Sequence, residues 1–455
     1  MVTALRLFLV AVMATLAALH PAAAQSILRD AETEAWLDDL TAPIAAAAGL
    51  DPANVDVVLI ADNSLNAFVI RGQTVYMHSG TILQADNVNQ LQGIMAHEIG
   101  HIAGGHAVRF SDEIGSQATG ITLLSLAAAV GAMAGGAPDA GMALLGLGQR
   151  AATGKFLAFS RQQEARTDFA AVGFLNTAGI SSRGLVEFFE KLENQEYRYA
   201  VPQDDETEYL RTHPSPGNRV STLRDLTRNS PLWDVPPDPD LVARFKRVKG
   251  KLFGFVEDPA RTLRTYPESD TSAEARLARA YAWHRSAYPE QATAEVDAML
   301  AETPDDPFVL ELKGQILMES GDPKAAIAPL ERAIAIDREQ PLIATLLGHA
   351  LLATEEQADV PRAAEVLREA VRMDRENPFG WYQLGIAYAK MGDDARASLA
   401  AAEREAMMRQ PERAIRSARF AMNGIDEGSP DWLRAQDILM VAEAELEKDG
   451  RRRRR

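Results

Sequence analysis

Apolar and polar positions alternate in different ways along the 455 residues, and each regime predicts a different kind of element. Leu7 to Leu19 is an apolar run behind one early charge, Arg6, and ahead of Ala22-Ala23-Ala24. This is the form of a secretory leader cleaved after Ala24, and the run is short of the roughly 20 residues that span a bilayer. Around residue 96 an apolar run is compatible with helix and carries a few polar residues. Ile121 to Ala134 is again apolar and small, Gly135-Gly136-Ala137-Pro138-Asp139 interrupts it, and Met142 to Leu147 resumes it. Neither limb is long enough to cross a membrane, and the break predicts a helical hairpin. It reads first as a buried cover and second as a membrane contact. Pro231 to Pro239 cannot run as helix and, with the basic stretch Arg244 to Lys251 behind it, reads as a linker over 231–270.

From about Thr271 the chain becomes Ala-, Leu-, Glu- and Arg-rich, with an internal repeat. Gly314, Gly348 and Gly385 close Leu-Lys-Gly, Leu-Leu-Gly and Gln-Leu-Gly, at spacings of 34 and 37 residues, and Pro307, Pro341 and Pro378 mark the same period. The insert Thr354 to Val360 accounts for the longer spacing. Trp381, Leu384, Gly385, Tyr388 and Ala397 match the tetratricopeptide pattern, and Ala326 and Ala364 take the small position where paired helices cross. With weaker segments before Pro307 and after Gln410, four to five repeats are expected, stacked into a solenoid with a concave, protein-binding face. The organisation is then a leader (1–24), a first domain (25–230), the linker, a repeat domain (271–450) and a basic tail (451–455). The fold class is mainly α, with an α+β first domain followed by an α-solenoid.

The polar residues inside the helix-compatible run spell His97-Glu98-Ile99-Gly100-His101. On a helix, His97 and His101 project from one face a turn apart, so two imidazoles can share one metal ion. Glu98 is placed to take the proton of an attacking water. A third ligand is needed. Gly104 fits the H-E-x-x-H-x-x-G-x-x-H pattern, but position 107 is Ala, and His106 falls one residue early. Downstream, Glu164 and Asp168 share a helix face: Glu164 can complete a His-His-Glu set and Asp168 can hold a ligand histidine by its outer nitrogen. The alternative for both is a solvated face paired with Arg161 or Arg166.

With these residues in view, the chain resembles the M48 family of zinc metallopeptidases, in the gluzincin group, over roughly residues 30 to 225. Four motifs carry the resemblance: Ala96 to His101, Ser160-Arg161-x-x-Glu164-x-x-x-Asp168, Thr212-His213-Pro214-x-x-x-x-Arg219, and Asn66-Ala67-Phe68 followed by Val75-Tyr76-Met77-His78-Ser79-Gly80. One departure is Thr167, where the family usually has Ala. The resemblance implies a gluzincin-type domain with a small sheet, holding one zinc ion per chain on His97, His101 and Glu164, with Glu98 as general base. It implies His213 and Arg219 as candidate oxyanion donors, His213 alternatively being a fourth zinc ligand that holds the enzyme latent. It also makes Asn66, Ala67 and Phe68 a sheet edge to which an extended peptide pairs through its backbone.

Composition narrows the setting. There is no cysteine, so no disulfide contributes, and 47 basic against 64 acidic residues (net −17) argue against nucleic acid as a partner. Arg451 to Arg455 reads as a solvated tail, with contact to anionic lipid as the alternative. His78, His106, His284 and His349 read as structural. Leader, M48-like domain and repeats together resemble periplasmic proteases that assist β-barrel assembly in Gram-negative bacteria. That implies unfolded or misassembled proteins as substrates, the outer-membrane assembly machinery as partner, and at most peripheral membrane contact. Three function classes follow: a protease with substrate-delivering repeats, a chaperone or assembly adaptor with an idle zinc site, and a repeat scaffold indifferent to zinc.

Overall fold

The computed structural model describes residues 27–70, 72–106, 161–198 and 219–453. The expected leader, the apolar hairpin at 121–147 and His213 lie outside the described residues. Among the described residues, no helix is long and apolar enough to cross a membrane.

A short strand β1 (Ile27–Leu28) leads into helix α1 (Ala31–Ala47). Asp30 caps that helix, accepting from the Thr33 backbone N–H at 2.8 Å. Strands β2 (Asp56–Ile60), β3 (Ala67–Val69) and β4 (Thr74–His78) follow. The sheet order is β1-β2-β4-β3, with β2 parallel to β4 and the other two pairings antiparallel. This leaves β3 at one edge, its Phe68 opposite and stacked on Tyr76. Helices α2 (Ser79–Gln84) and α3 (Val88–Ala103) come next, then helix α4 over residues 161–177, α5 (Arg183–Arg198) and α6 (Arg219–Thr227). Asn87 caps α3 by accepting from Gln90 N–H, and the Gln90 side chain reaches back to Asp86 N–H, a reciprocal pair that pins where the helix starts. The core gathers Trp36, Leu40 and Ile44 of α1, Leu91, Met95 and Ile99 of α3, and Leu185 and Phe188 of α5.

The stretch expected as a linker is largely helical: α7 (Pro239–Val256) and α8 (Pro259–Thr265). Asp238 caps α7 and Pro239 opens it with a preset φ. Phe245, Val248 and Leu252 recur at helical spacing and bury into the core of the first domain, where Phe245 stacks on Trp36 at 5.9 Å. Several cations of this stretch form ion pairs. Lys251, only 3 % exposed, reaches Asp30 at 2.6 Å and Glu32 at 3.2 Å, and Arg247 joins Glu32 and reaches Asp306 at 2.9 Å. With Arg29 to Asp374 at 2.8 Å, these pairs tie the start of the first domain to the repeats.

The repeats are five helix pairs among the described residues: α9 (Ala273–Arg285) with α10 (Pro289–Glu302), α11 (Pro307–Glu319) with α12 (Pro323–Ile336), α13 (Pro341–Ala353) with α14 (Val360–Met373), α15 (Pro378–Lys390) with α16 (Asp394–Met407), and α17 (Pro411–Gly424) with α18 (Pro430–Arg453). Two of the three marker glycines, Gly314 and Gly348, sit where paired helices cross closely. A Cβ on Gly314 would lie 2.5 Å from Leu330 Cγ, and one on Gly348 would lie 2.4 Å from Leu367 Cγ. The expected tail begins as helix, since α18 runs to Arg453; arginine is a good helix former and its charge suits a helix C-terminus.

Candidate metal centre

Helix α3 carries His97 and His101 on its inner face, and α4 crosses close beside it. A Cβ on Gly100 would meet Thr167 Cγ2 at 2.9 Å, so glycine permits the approach that brings Glu164 to the two rings. The three side chains converge. His97 Nε2 and His101 Nε2 are 3.2 Å apart, Glu164 Oε2 is 3.2 Å from the first, and Oε1 is 3.4 Å from the second. Donors about 2.0–2.1 Å from one tetrahedral ion stand roughly 3.3 Å apart, a spacing that the two ring nitrogens match, while each ring faces a different oxygen of Glu164. His97 and Glu164 are buried, while His101 keeps 13 % of its side chain exposed. Glu98, next to His97 in the chain, is wholly buried.

Behind the donors lies a second layer of polar contacts. Asp168 Oδ1 is 3.0 Å from His97 Nδ1, so the carboxylate holds the ring by its outer nitrogen, as the four-residue spacing to Glu164 predicted. Arg219, the first residue of α6, grips Asp168 with two hydrogen bonds, Nε to Oδ2 at 2.6 Å and Nη2 to Oδ1 at 2.8 Å. Its Nη2 is also 3.2 Å from Glu164 Oε2, and its guanidinium lies 4.1 Å over the Phe189 ring, which itself meets His97 edge-on. Burial opposes charge on Asp168, but Arg219 and His97 outweigh it and hold the carboxyl below its usual range. Burial likewise opposes charge on His97, yet the hydrogen bonds to Asp168 and Glu164 raise it to about 9.

The sequence expectations fare unevenly. His97, His101, Glu164 and Asp168 come together. Arg219, expected as an oxyanion donor, is 4 % exposed and committed to the two carboxylates. One signal of this was available: Arg219 shares the inward face of α6 with Val220 and Leu223, and an arginine on an apolar face needs a buried acid. Asn66 is buried just before β3; its carbonyl accepts from His78 N–H at 2.9 Å and from the Thr81 hydroxyl at 2.6 Å. Ala67 and Phe68 lie on the edge strand itself, which packs against α3. His78 is structural, with Nδ1 2.8 Å from Ser64 Oγ. His106, expected to be structural, instead stands against the outer nitrogen of His101.

The profile of peptidase family M48 matches residues 31–227, the stretch that supplies every one of these donors. The chain carries an M48 peptidase domain. A tetratricopeptide repeat profile matches residues 309–340. Over 414 residues the chain is 25% identical to the putative beta-barrel assembly-enhancing protease of Vibrio cholerae, covering 89% of this chain and 83% of that one. It is 26% identical over 380 residues to the beta-barrel assembly-enhancing protease of Escherichia coli, covering 82% and 75%. Metalloprotease LoiP of Escherichia coli is 29% identical over 177 residues, or 38% of this chain and 62% of that one. The M48 domain and these relatives make the chain a metalloendopeptidase with tetratricopeptide repeats behind its catalytic domain.

Proposed function

We propose that this metalloendopeptidase works in the periplasm with zinc as its metal. Its substrates are misfolded or stalled envelope and outer-membrane proteins, and its repeats bind those substrates or the assembly machinery. The observation that carries the catalytic part is the convergence of two imidazole nitrogens and one carboxylate within 3.2–3.4 Å, next to the buried Glu98. Two imidazoles and a carboxylate suit zinc. Held by His97, His101 and Glu164, zinc would supply Lewis acidity for water activation and carbonyl polarisation.

The chain's own residues do the rest. Asp168 keeps His97 in the tautomer that offers Nε2, and Arg219 keeps Asp168 charged and in place. Glu98 accepts the proton of the attacking water and passes it to the leaving amine. An extended peptide pairs through backbone hydrogen bonds at β3, the end strand of the sheet among the described residues, a mode that reads unfolded backbone rather than particular side chains. The leader-like N-terminus supports the periplasmic assignment, and the relatives' names support the class of client.

Incubating the zinc-loaded protein with an unfolded model protein tests the reaction. Wild type should cleave it and Glu98→Gln should be slower by about 100- to 10,000-fold with metal content unchanged. Equal rates would remove Glu98 from the mechanism. Fractionation of cells producing the full chain, with N-terminal sequencing of the product, tests the address: the expected product starts at Gln25 in the periplasmic fraction.

A further inference from the structure

We propose that His106 is a positioning residue of the metal centre, accepting a hydrogen bond from the outer nitrogen of the ligand His101. The inference rests on the metal-centre reading above and adds to it a second clamp, independent of the one that Asp168 applies to His97. His106 Nδ1 lies 3.0 Å from His101 Nδ1, with the two ring planes at 78°. His101 directs Nε2 at the point shared with His97 and Glu164, so its proton resides on Nδ1. That N–H donates, and His106 Nδ1 accepts, which makes His106 a neutral imidazole protonated on Nε2. Thr167 Oγ1 is 3.2 Å from the same His106 nitrogen but donates to Gln163 O at 2.9 Å, so its hydroxyl bounds the ring without supplying a competing proton. The residue at which this chain departs from the M48 pattern therefore touches His106.

The backbone is shaped for this contact. Helix α3 ends at Ala103; Gly104 continues in helical geometry (φ −74°, ψ −12°) and Gly105 turns left-handed at φ 63°. The turn folds His106 back over Gly104 so tightly that a Cβ there would lie 2.4 Å from His106 Nε2. His106 is thus excluded as a third ligand, because its near nitrogen faces the side of His101 that points away from the metal. The two ligand histidines are held differently, one by a charged carboxylate backed by Arg219 and the other by a neutral ring.

The test measures zinc affinity by competition with a chromophoric chelator and the visible absorption of the cobalt-substituted protein. Three variants of the full chain are compared: His106→Leu, His106→Asn and Gly104→Ala. His106→Leu keeps bulk and loses the acceptor, and is expected to weaken zinc binding about 10- to 100-fold and to alter the cobalt spectrum. His106→Asn, whose Oδ1 can take the place of Nδ1, should recover most of both. Gly104→Ala leaves every hydrogen-bonding group present and suits the local backbone, yet displaces the ring, so it should move with His106→Leu. It carries the test should His106→Leu lower the melting temperature of the metal-free protein. Zinc affinity and cobalt spectrum unchanged in His106→Leu would overturn the proposal, as would His106→Asn no better than His106→Leu. Failure of wild type to bind zinc at all would instead overturn the metal centre on which the proposal stands.

Discussion

Replacing Arg219 by methionine is the sharpest probe of how the site is held together. The side chain is 3 % exposed, makes two hydrogen bonds to Asp168, stands 3.2 Å from Glu164 and covers the Phe189 ring. Methionine keeps most of the volume and removes the charge, leaving two buried carboxylates with His97 as their remaining nearby cation. Breaking one side of a buried ion pair costs about 3–5 kcal/mol, which corresponds to roughly 150- to 4,000-fold in the equilibrium for opening the surrounding structure. The assay is hydrogen–deuterium exchange of the peptide covering 88–103 in metal-free protein. Exchange should speed up by about that factor in Arg219→Met at pH 8. The sign with pH follows from Asp168, whose carboxyl Arg219 helps to hold below its usual range. Its pairing stabilises the fold fully above the ordinary 3.8 and is lost as pH falls through the lowered folded value, so the gap between variant and wild type should narrow only below about pH 4. Adding Asp168→Asn to Arg219→Met should restore part of the protection by removing one orphaned charge. A change below tenfold in the single variant at pH 8 would refute the view that Arg219 neutralises the site.

Other outcomes follow from the same structure. Burial, helped by the nearby Asp30 charge and opposed by Lys251, pushes Glu311 up to about 8. The folded chain therefore holds a proton that the unfolded chain has released above its ordinary 4.5, and stability should fall as pH rises from about 4.5 to 8. Glu311→Gln should flatten that part of a urea-midpoint profile and melt later than wild type at pH 8; an unchanged slope would count against it. Gly348→Ala forces a Cβ to 2.4 Å from Leu367 and should destabilise α13 and α14 by about 1–3 kcal/mol. Gly385→Ala meets nothing closer than 3.5 Å and should be neutral or gain up to about 1 kcal/mol, both read from exchange in the repeats. Removing zinc with a chelator and returning it at a thousand times its Kd should raise the protection of α3 and α4 by about 4 kcal/mol, leaving α13 to α16 unmoved.

Much of the site was legible because helical spacing is local. His97 and His101 share a face whatever the rest of the chain does, and so do Glu164 and Asp168. The repeat was legible for a related reason: small residues are needed wherever two helices cross, and Gly314 and Gly348 recur at that need. Other features misled. Arg244 to Lys251 was read as linker because it follows the proline-rich run 231–239, whereas Phe245, Val248 and Leu252 carried the helical period within it. Arg219 was expected as an oxyanion donor through the motif it shares with the M48 family, whereas its guanidinium pairs with Asp168 and Glu164.

The sequence alone determined which side chains could act together within one helix, the order of the domains, and the chemistry that a His-Glu-His face can support. Tertiary structure decided that Glu164 meets the two histidines, that Arg219 pairs with Asp168, and that His106 stands at the outer nitrogen of His101. The reason is physical. Spacing along a helix follows from covalent geometry and backbone hydrogen bonds, which any stretch of chain carries with it. The partner of a buried charge or ring nitrogen depends on which elements pack together. That packing is driven by apolar burial, which is largely indifferent to the polar chemistry it brings into contact.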